Sequence, residues 1–185
     1  MAEVKPLDGQ AARAFDELLV TLAQAGDRDA TARLAARWHP RLARTARRLL
    51  QDEEQALAAT QDAWLSILRG IGNLRDPARF APWAFGILRR RRADTLRLVE
   101  RRRDVLTPGE RVEMATPALQ DDAVAIAQAF ADLPAEQRLA AQLFFVEGLT
   151  LVEIAEVQDV PVGTAKSRLF HARRRLKAAL SGDDT

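Results

Sequence analysis

Cationic and hydroxyl-bearing side chains follow Pro161 at a spacing that brings several of them onto one side of a helix. They are Thr164, Lys166, Ser167, Arg168, His171 and Arg174. Such side chains bind phosphate oxygens and the hydrogen-bonding edges of bases. Residues 161–180 carry a net charge of +6 and no acidic residue. This stretch therefore predicts a helix that contacts DNA.

The apolar residues of the same stretch predict the buried side of that helix. Val162, Ala165, Leu169, Ala172 and Leu176 recur at intervals of three and four residues. Upstream, Thr150 and Glu153 have the spacing of a capping box at the start of another helix. Residues 159–161 predict the turn between the two helices. A tight turn followed by a basic helix indicates a helix-turn-helix.

A second basic cluster occupies residues 89–103, where eight arginines accompany only Asp94 and Glu100. This cluster also carries a net charge of +6, which leaves −10 for the remaining residues of a chain whose total is +2. Two basic clusters on an otherwise acidic chain suggest two contacts with a polyanion. The alternative is a pair of solvated helix faces, which two clusters favour less than one would.

Other chemistry has little support in the sequence. The chain has no cysteine, and its two histidines, His39 and His171, lie far apart, which argues against a metal site. No activated nucleophile, paired carboxylate or phosphate-binding glycine loop is evident, so we expect neither an enzyme nor a cofactor. The first residues lack the apolar segment of a signal peptide, and no apolar run could span a membrane. We expect a cytoplasmic protein without membrane insertion.

The predicted fold is all-α, because helical periodicity recurs along the chain and no segment alternates as a strand does. We predict two small helical domains, at residues 1–103 and 121–185. Residues 104–120 contain Pro108, Gly109 and Pro117, and predict a flexible linker between the domains.

Several apolar positions are predicted to lie in the core. The helix predicted at 52–69 has Leu57, Trp64, Leu65 and Leu68 as its apolar positions, and core packing is the favoured role for Trp64 and Leu65. Phe144 is predicted to be buried by the helix that follows Pro134. The next helix after residue 70 is expected to begin near Pro82. Phe80 and Trp83 could stack on bases, but their spacing favours a role in the core.

Three blocks together resemble the extracytoplasmic-function sigma factors, a two-domain group of bacterial RNA polymerase subunits. The first is ATQDAWLSILRGI at 59–71, and the second is RDPARFAPWAFGILRRRRADTLR at 75–97. The third is LPAEQRLAAQLFFVEGLTLVEIAEVQDVPVGTAKSRLFHARRRL at 133–176. Their order, with a linker between the second and third, is specific to the family. The resemblance covers most of residues 11–180 and implies a region 2-like domain followed by a region 4-like domain.

The resemblance implies that the first block docks on the clamp of the core polymerase. Gln61 and Asp62 fall at the matching polar positions, and Ser66 and Arg69 follow within two turns. Ala58 stands where family members often carry an acidic residue, and this departure weakens the polar face.

The second block resembles the segment that reads and melts the −10 promoter element. Its loop, residues 72–79, would receive a base flipped out of the non-template strand, with Asn73, Arg75 and Asp76 as hydrogen-bonding groups. The alternative is that Asn73 and Asp76 only form a turn and a helix cap. The cationic side chains that would grip the strand are Arg89, Arg90, Arg91 and Arg97.

The third block resembles the −35-binding domain, with residues 164–174 as its DNA contact. The implied partners are the clamp and flap of the RNA polymerase core, promoter DNA and an anti-sigma factor. The implied location is the cytoplasm, at the nucleoid when the protein is active. Two rival interpretations are a helix-turn-helix regulator that acts without polymerase, and a sigma mimic that sequesters an anti-sigma protein. The first leaves residues 59–97 without a purpose, and the second does not require the basic clusters.

Overall fold

The computed structural model describes residues 9–50, 52–103 and 121–181. At 93–103, 121–124, 180 and 181 it describes the backbone alone. These ranges contain helices and turns without a strand, which confirms the all-α prediction. The predicted linker at 104–120 lies outside the described residues.

Eight α-helices form the described part of the chain. They are α1 Gly9–Gln24, α2 Arg28–Leu50, α3 Glu53–Gly70, α4 Phe80–Arg103, α5 Asp121–Ala131, α6 Ala135–Ala141, α7 Leu151–Gln158 and α8 Val162–Ser181. Two 3₁₀ turns, Ile71–Asn73 and Pro77–Arg79, separate α3 from α4. A π-helical turn, Gln142–Val146, extends α6. Helix α4 begins two residues before Pro82, because a proline in the first turn removes no intrahelical hydrogen bond.

Helix α3 packs into the core through small side chains. Its buried residues are Ala56, Ala59, Thr60, Ala63 and Ile67. Leu57, Leu65 and Leu68 are about half exposed, so the prediction that Leu65 lies in the core is wrong. The alanines allow α2 and α4 to approach α3 closely, and this turns the leucines toward solvent. Trp64 is half-buried and packs against the core, as predicted.

Aromatic side chains fill the centre of the N-terminal half. The Trp38 ring meets Phe80 edge-on, with centroids 4.9 Å apart, and Phe85 lies 5.8 Å from it. Phe80 is buried, and Trp83 packs against the same core while remaining half-buried. The core role predicted for Phe80 is confirmed.

The C-terminal half contains the predicted helix-turn-helix. Thr150 Oγ1 accepts a hydrogen bond from Glu153 N at 3.3 Å, and Glu153 Oε2 accepts one from Thr150 N at 2.7 Å. This capping box starts α7, and Asp159 ends it in the left-handed region with φ 51°. The carbonyl of Pro161 then accepts hydrogen bonds from the first turn of α8. Two predicted core positions, Phe144 and Val162, are instead exposed.

The two halves pack against each other, and the larger of the two described hydrophobic clusters contains residues of both. The side chain of Glu147, just before α7, is 0% exposed and lies 2.9 Å from both Arg41 Nε and Arg44 Nη2 of α2. Arg48 of α2 donates to Gln142 Oε1 at 2.7 Å. Helix α2 therefore forms polar contacts with the segment that leads into the helix-turn-helix.

Candidate nucleic-acid interface

Helix α8 has one buried stripe and one outward face. Ala165 and Ala172 are 0% exposed and Leu176 is 8% exposed. With 3.6 residues per turn, the face opposite this stripe recurs at intervals of four, three and four residues. It consists of Gly163, Ser167, Phe170 and Arg174, all of them exposed. Thr164, Lys166 and His171 are also exposed and flank this face.

Phe170 also lies on this outward face, and it is not among the DNA-binding residues predicted from the sequence. Its side chain is 61% exposed, and its ring lies 5.5 Å from the ring of His171. A large apolar side chain on a basic helix can contact the methyl group of thymine in the major groove. The exposure of Phe170 could have been predicted from helical periodicity. Ser167, Phe170 and Arg174 recur at intervals of three and four residues, on the side of the helix opposite the buried stripe.

Arg168 faces the protein more than the other predicted DNA-binding residues of α8 do. Its side chain is 26% exposed. Its Nη1 donates to Gln158 Oε1 at 3.1 Å and to Glu136 Oε2 at 3.2 Å. Gln158 is itself buried and donates to the carbonyl of Glu136 at 2.8 Å. Arg168 therefore connects α8 to α7 and to the start of α6.

The carboxylate of Glu136 also faces the basic cluster of α4. Arg89 Nη2 lies 3.9 Å from Oε2, and Arg92 Nη1 lies 3.7 Å from Oε1. Burial lowers the pKa of the Arg92 guanidinium below its ordinary value, and Glu136 partly offsets this effect. A largely buried guanidinium is stabilised by a nearby anion, and Glu136 supplies one for Arg92.

The other arginines predicted for this interface occupy different surroundings. Arg90 is exposed, whereas Arg91 Nε donates to Ser66 Oγ at 3.1 Å and so joins α4 to α3. Arg97 lies on α4, and its side chain is outside the described residues. The four predicted arginines therefore do not form one described surface.

Three residues of the loop between α3 and α4 were predicted to bind a base, and all three are exposed. Asn73 and Arg75 are exposed. Asp76 is also exposed, but its Oδ1 accepts a hydrogen bond from Ala78 N at 3.0 Å and caps the second 3₁₀ turn. Asp76 therefore has the capping role that was the alternative to base recognition. At the far end of the loop, Arg79 forms an ion pair with Glu156 of α7.

The outward face of α3 combines polar and apolar groups. Gln61, Asp62 and Arg69 are exposed, and Ser66 is half-buried because it contacts Arg91. The exposed leucines Leu57, Leu65 and Leu68 share this helix. We call Gln61, Asp62, Leu65 and Arg69 the α3 face. Beside it, a shallow apolar groove of about 470 Å³ runs between α2 and α3 and is lined by residues that include Trp64 and Leu68.

Two absences hold for the part of the chain that the structure describes. No cluster of three or more potential metal-ligating side chains occurs there. None of its helices is both long and apolar enough to cross a membrane.

Family profiles match both halves of the chain. The profile described as Sigma-70 region 2 matches residues 34–102, and the profile described as Sigma-70, region 4 matches residues 123–176. The chain is 34% identical over 170 residues to the ECF RNA polymerase sigma factor SigM of Mycobacterium tuberculosis, covering 89% of this chain and 84% of the relative. It is 29% identical over 180 residues to the RNA polymerase sigma-H factor of Pseudomonas aeruginosa, covering 89% and 93%.

Solved structures share the fold. The sigma factor RpoE of Bartonella quintana, crystallised with the anti-sigma factor NepR, matches with a TM-score of 0.69 at 24% identity. That match covers 83% of this chain and 98% of RpoE. CnrH, solved in complex with the cytosolic domain of CnrY, matches with a TM-score of 0.67 at 24% identity, covering 92% and 99%.

Proposed function

The chain belongs to the extracytoplasmic-function sigma factors of RNA polymerase, and from this premise we propose that its two basic clusters contact two different promoter elements. In this proposal α8 binds the −35 element as a duplex. The loop at 72–79 and helix α4 capture the melted −10 element. Core polymerase docks on the α3 face and performs the chemistry, so the chain is not itself an enzyme and uses no cofactor.

The outward face of α8 is the observation that carries this proposal. Ser167 and Arg174 offer hydrogen bonds and charge, and Phe170 between them offers an apolar contact, so the face can read base edges as well as phosphates. Lys166 and His171 flank the face and suit the phosphate backbone. Arg168 is the member of the predicted set for which positioning α8 is the better supported role, because of its bonds to Gln158 and Glu136.

The −10 assignment rests on exposed hydrogen-bonding groups in a short loop. Asn73 and Arg75 are exposed on a segment enclosed by two 3₁₀ turns. A flipped base costs a few kcal/mol to extrude, so its pocket must return that energy through edge contacts and stacking. In this proposal Asn73 and Arg75 supply the edge contacts, Asp76 shapes the loop, and Arg90 contacts the strand backbone.

Core docking is proposed for the α3 face. Gln61 and Asp62 provide polar contacts in this proposal. Leu65, whose predicted role was core packing, is half exposed and adds an apolar group. An interface centred on an apolar side chain with a polar rim is the usual arrangement for protein association. The apolar contact of Leu65 compensates for the binding free energy that an acidic residue at position 58 would supply.

An anti-sigma protein is a further partner in this proposal, since the RpoE structure named above was solved with the anti-sigma factor NepR. The proposed site of action is the cytoplasm, on the nucleoid when the protein is bound to polymerase. The apolar groove between α2 and α3 adjoins the α3 face, so a partner bound there would compete with core polymerase.

Run-off transcription with purified core polymerase tests the proposal. The expected result is specific initiation that requires this protein, together with a stable complex between the protein and the core. A protein that binds duplex DNA but not core would instead be an independent helix-turn-helix regulator. A protein that binds an anti-sigma factor but supports no initiation would be a mimic. Either result overturns the proposal.

A further inference from the structure

Gln24, the last residue of α1, reaches the loop that follows α3. Its Nε2 donates hydrogen bonds to two backbone carbonyls, those of Ile71 and Leu74, each at 2.8 Å. The side chain is half-buried. A glutamine amide carries two N–H groups, so one group serves each carbonyl. The loop is thus attached to an element 47 residues earlier in the chain.

The two carbonyls stand on either side of Gly72 and Asn73. Leu74 N also donates to the carbonyl of Ile71 at 3.1 Å, which closes the first 3₁₀ turn. Ile71 is buried and Leu74 packs against the core, whereas Asn73 is exposed. The peptide groups therefore face inward to Gln24 while the side chain of Asn73 points to solvent.

Side-chain contacts hold the loop on both sides of Asn73. Gln24 holds the end near α3, and the far end is held by the Asp76 cap and by the ion pair between Arg79 and Glu156. A loop fixed in this way loses less conformational entropy when a ligand binds. Contacts that depend on the direction of Asn73 gain in selectivity for the same reason.

We propose that Gln24 is a positioning residue for base recognition by the loop at 72–79. This inference rests on the proposed function, because it assumes that the loop reads the −10 element. Gln24 does not touch the base in this account. It fixes the backbone on both sides of Asn73 and so decides where the Asn73 amide is presented.

Three substitutions of Gln24 test whether its two N–H groups position the loop. Gln24→Leu keeps the approximate size and removes both donors. Gln24→Asn keeps the amide but withdraws it by one methylene, and is the milder variant should Gln24→Leu fail to fold. Gln24→Lys supplies an ammonium with three donors and serves as the rescue. Gln55→Leu is the matched control, since Gln55 Nε2 donates to Asp52 Oδ2 at 2.9 Å in the same half of the protein.

The experiment measures base preference with the full chain bound to core polymerase. A barcoded duplex library, randomised across both promoter elements, is transcribed and the transcripts are counted. We expect Gln24→Leu to weaken the preference at one or two downstream positions by about five- to tenfold, as loss of two hydrogen bonds implies. The preference at upstream positions should not change. Gln24→Lys should retain the downstream preference, and Gln55→Leu should match the wild type.

Three outcomes separate the possibilities. An unchanged downstream preference in Gln24→Leu and Gln24→Asn overturns the positioning role while leaving the proposed function intact. An equal loss of preference at both elements also overturns it, because general destabilisation affects both. If the wild-type protein shows no preference at the downstream positions, the proposed function is itself wrong. The positioning role of Gln24 then fails as well.

Discussion

Arg168 of α8 and Glu136 of α6 are hydrogen-bonded at 3.2 Å, through the carboxylate that also faces Arg89 and Arg92 of α4. One acidic side chain thus neutralises guanidinium groups from both basic clusters. In the proposed function DNA approaches both clusters, so the negative charge of Glu136 opposes DNA binding in the packed arrangement. Replacing Glu136 therefore changes the charge balance of both basic clusters at once.

Replacing Glu136 with Gln should increase the affinity for non-specific duplex DNA. The change removes one negative charge from beside three arginines, and we expect an increase of about three- to tenfold at low salt. The effect should shrink between about 50 and 200 mM salt, because phosphate contacts are screened. Fluorescence anisotropy measures both quantities. Glu17→Gln, an exposed change of equal charge on α1, is the control, and equal gains in the two variants would contradict a specific role for Glu136.

Phe170→Ala should weaken binding of the −35 duplex without unfolding the protein. The ring is 61% exposed, so its removal leaves no cavity, but it removes an apolar contact with a base. We expect a loss of about tenfold, which corresponds to ~1.4 kcal/mol. Val152→Ala, a 60% exposed apolar change on α7, is the control. Should both variants bind the selected upstream element as tightly as wild type, Phe170 is not part of the interface.

Lys166→Ala and Arg168→Ala should both weaken upstream binding, but for different reasons. Lys166 is exposed, so its loss should reduce the slope of affinity against salt by about one phosphate contact and leave stability within ~0.5 kcal/mol. Arg168→Ala removes hydrogen bonds to Gln158 and Glu136 and should lower the free energy of unfolding by about 1–2 kcal/mol.

Urea denaturation and anisotropy on the same two variants separate these effects. Core binding should persist in both, because neither residue belongs to the α3 face. Identical unfolding midpoints for Arg168→Ala and Lys166→Ala would show that the Arg168 contacts do not stabilise α8.

Glu147→Ala should destabilise the packing between the two halves. The carboxylate is fully buried, and its removal takes away the charged acceptor of both Arg41 and Arg44, leaving Arg41 only its bond to the backbone carbonyl of residue 147. Both arginines keep some contact with water, so we expect a loss of about 2–3 kcal/mol, near the lower end for a broken buried pair. Glu53→Ala is the control, because the Arg47–Glu53 pair is 55% exposed on both sides and should matter by less than ~0.5 kcal/mol. Calorimetric unfolding that does not distinguish the two variants would argue against the buried contact.

Leu65→Ala should weaken the complex with core polymerase and leave DNA binding by the isolated protein unchanged. Leu65 is half-exposed on the α3 face, and loss of an apolar anchor at an interface reduces affinity by about tenfold. Leu18→Ala, a similarly exposed leucine on α1, is the control. A pull-down titration against core polymerase measures the difference, and parallel losses in the two variants would place the docking surface elsewhere.

Features that depend on a few neighbouring residues could be predicted well. The capping box of Thr150 and Glu153, the turn before α8 and the burial of Ala165 and Ala172 all agree with the structure. Each follows from backbone hydrogen bonds or helical periodicity within a single element. The exposure of Leu65 could not be obtained in this way, because α3 carries apolar residues on more than one face and periodicity does not say which of these faces meets the core.

The sequence by itself determined the helical fold, the two basic clusters and the family. Tertiary structure alone decided how those parts meet. Alanines in α3 permit close helix packing and so expose the leucines, the carboxylate of Glu136 lies within reach of arginines from two helices, and Gln24 bonds a loop 47 residues away. The physical reason is that local propensity acts over a few residues along the chain. Ion pairs and side-chain-to-backbone bonds between distant segments exist only once packing has brought those segments together.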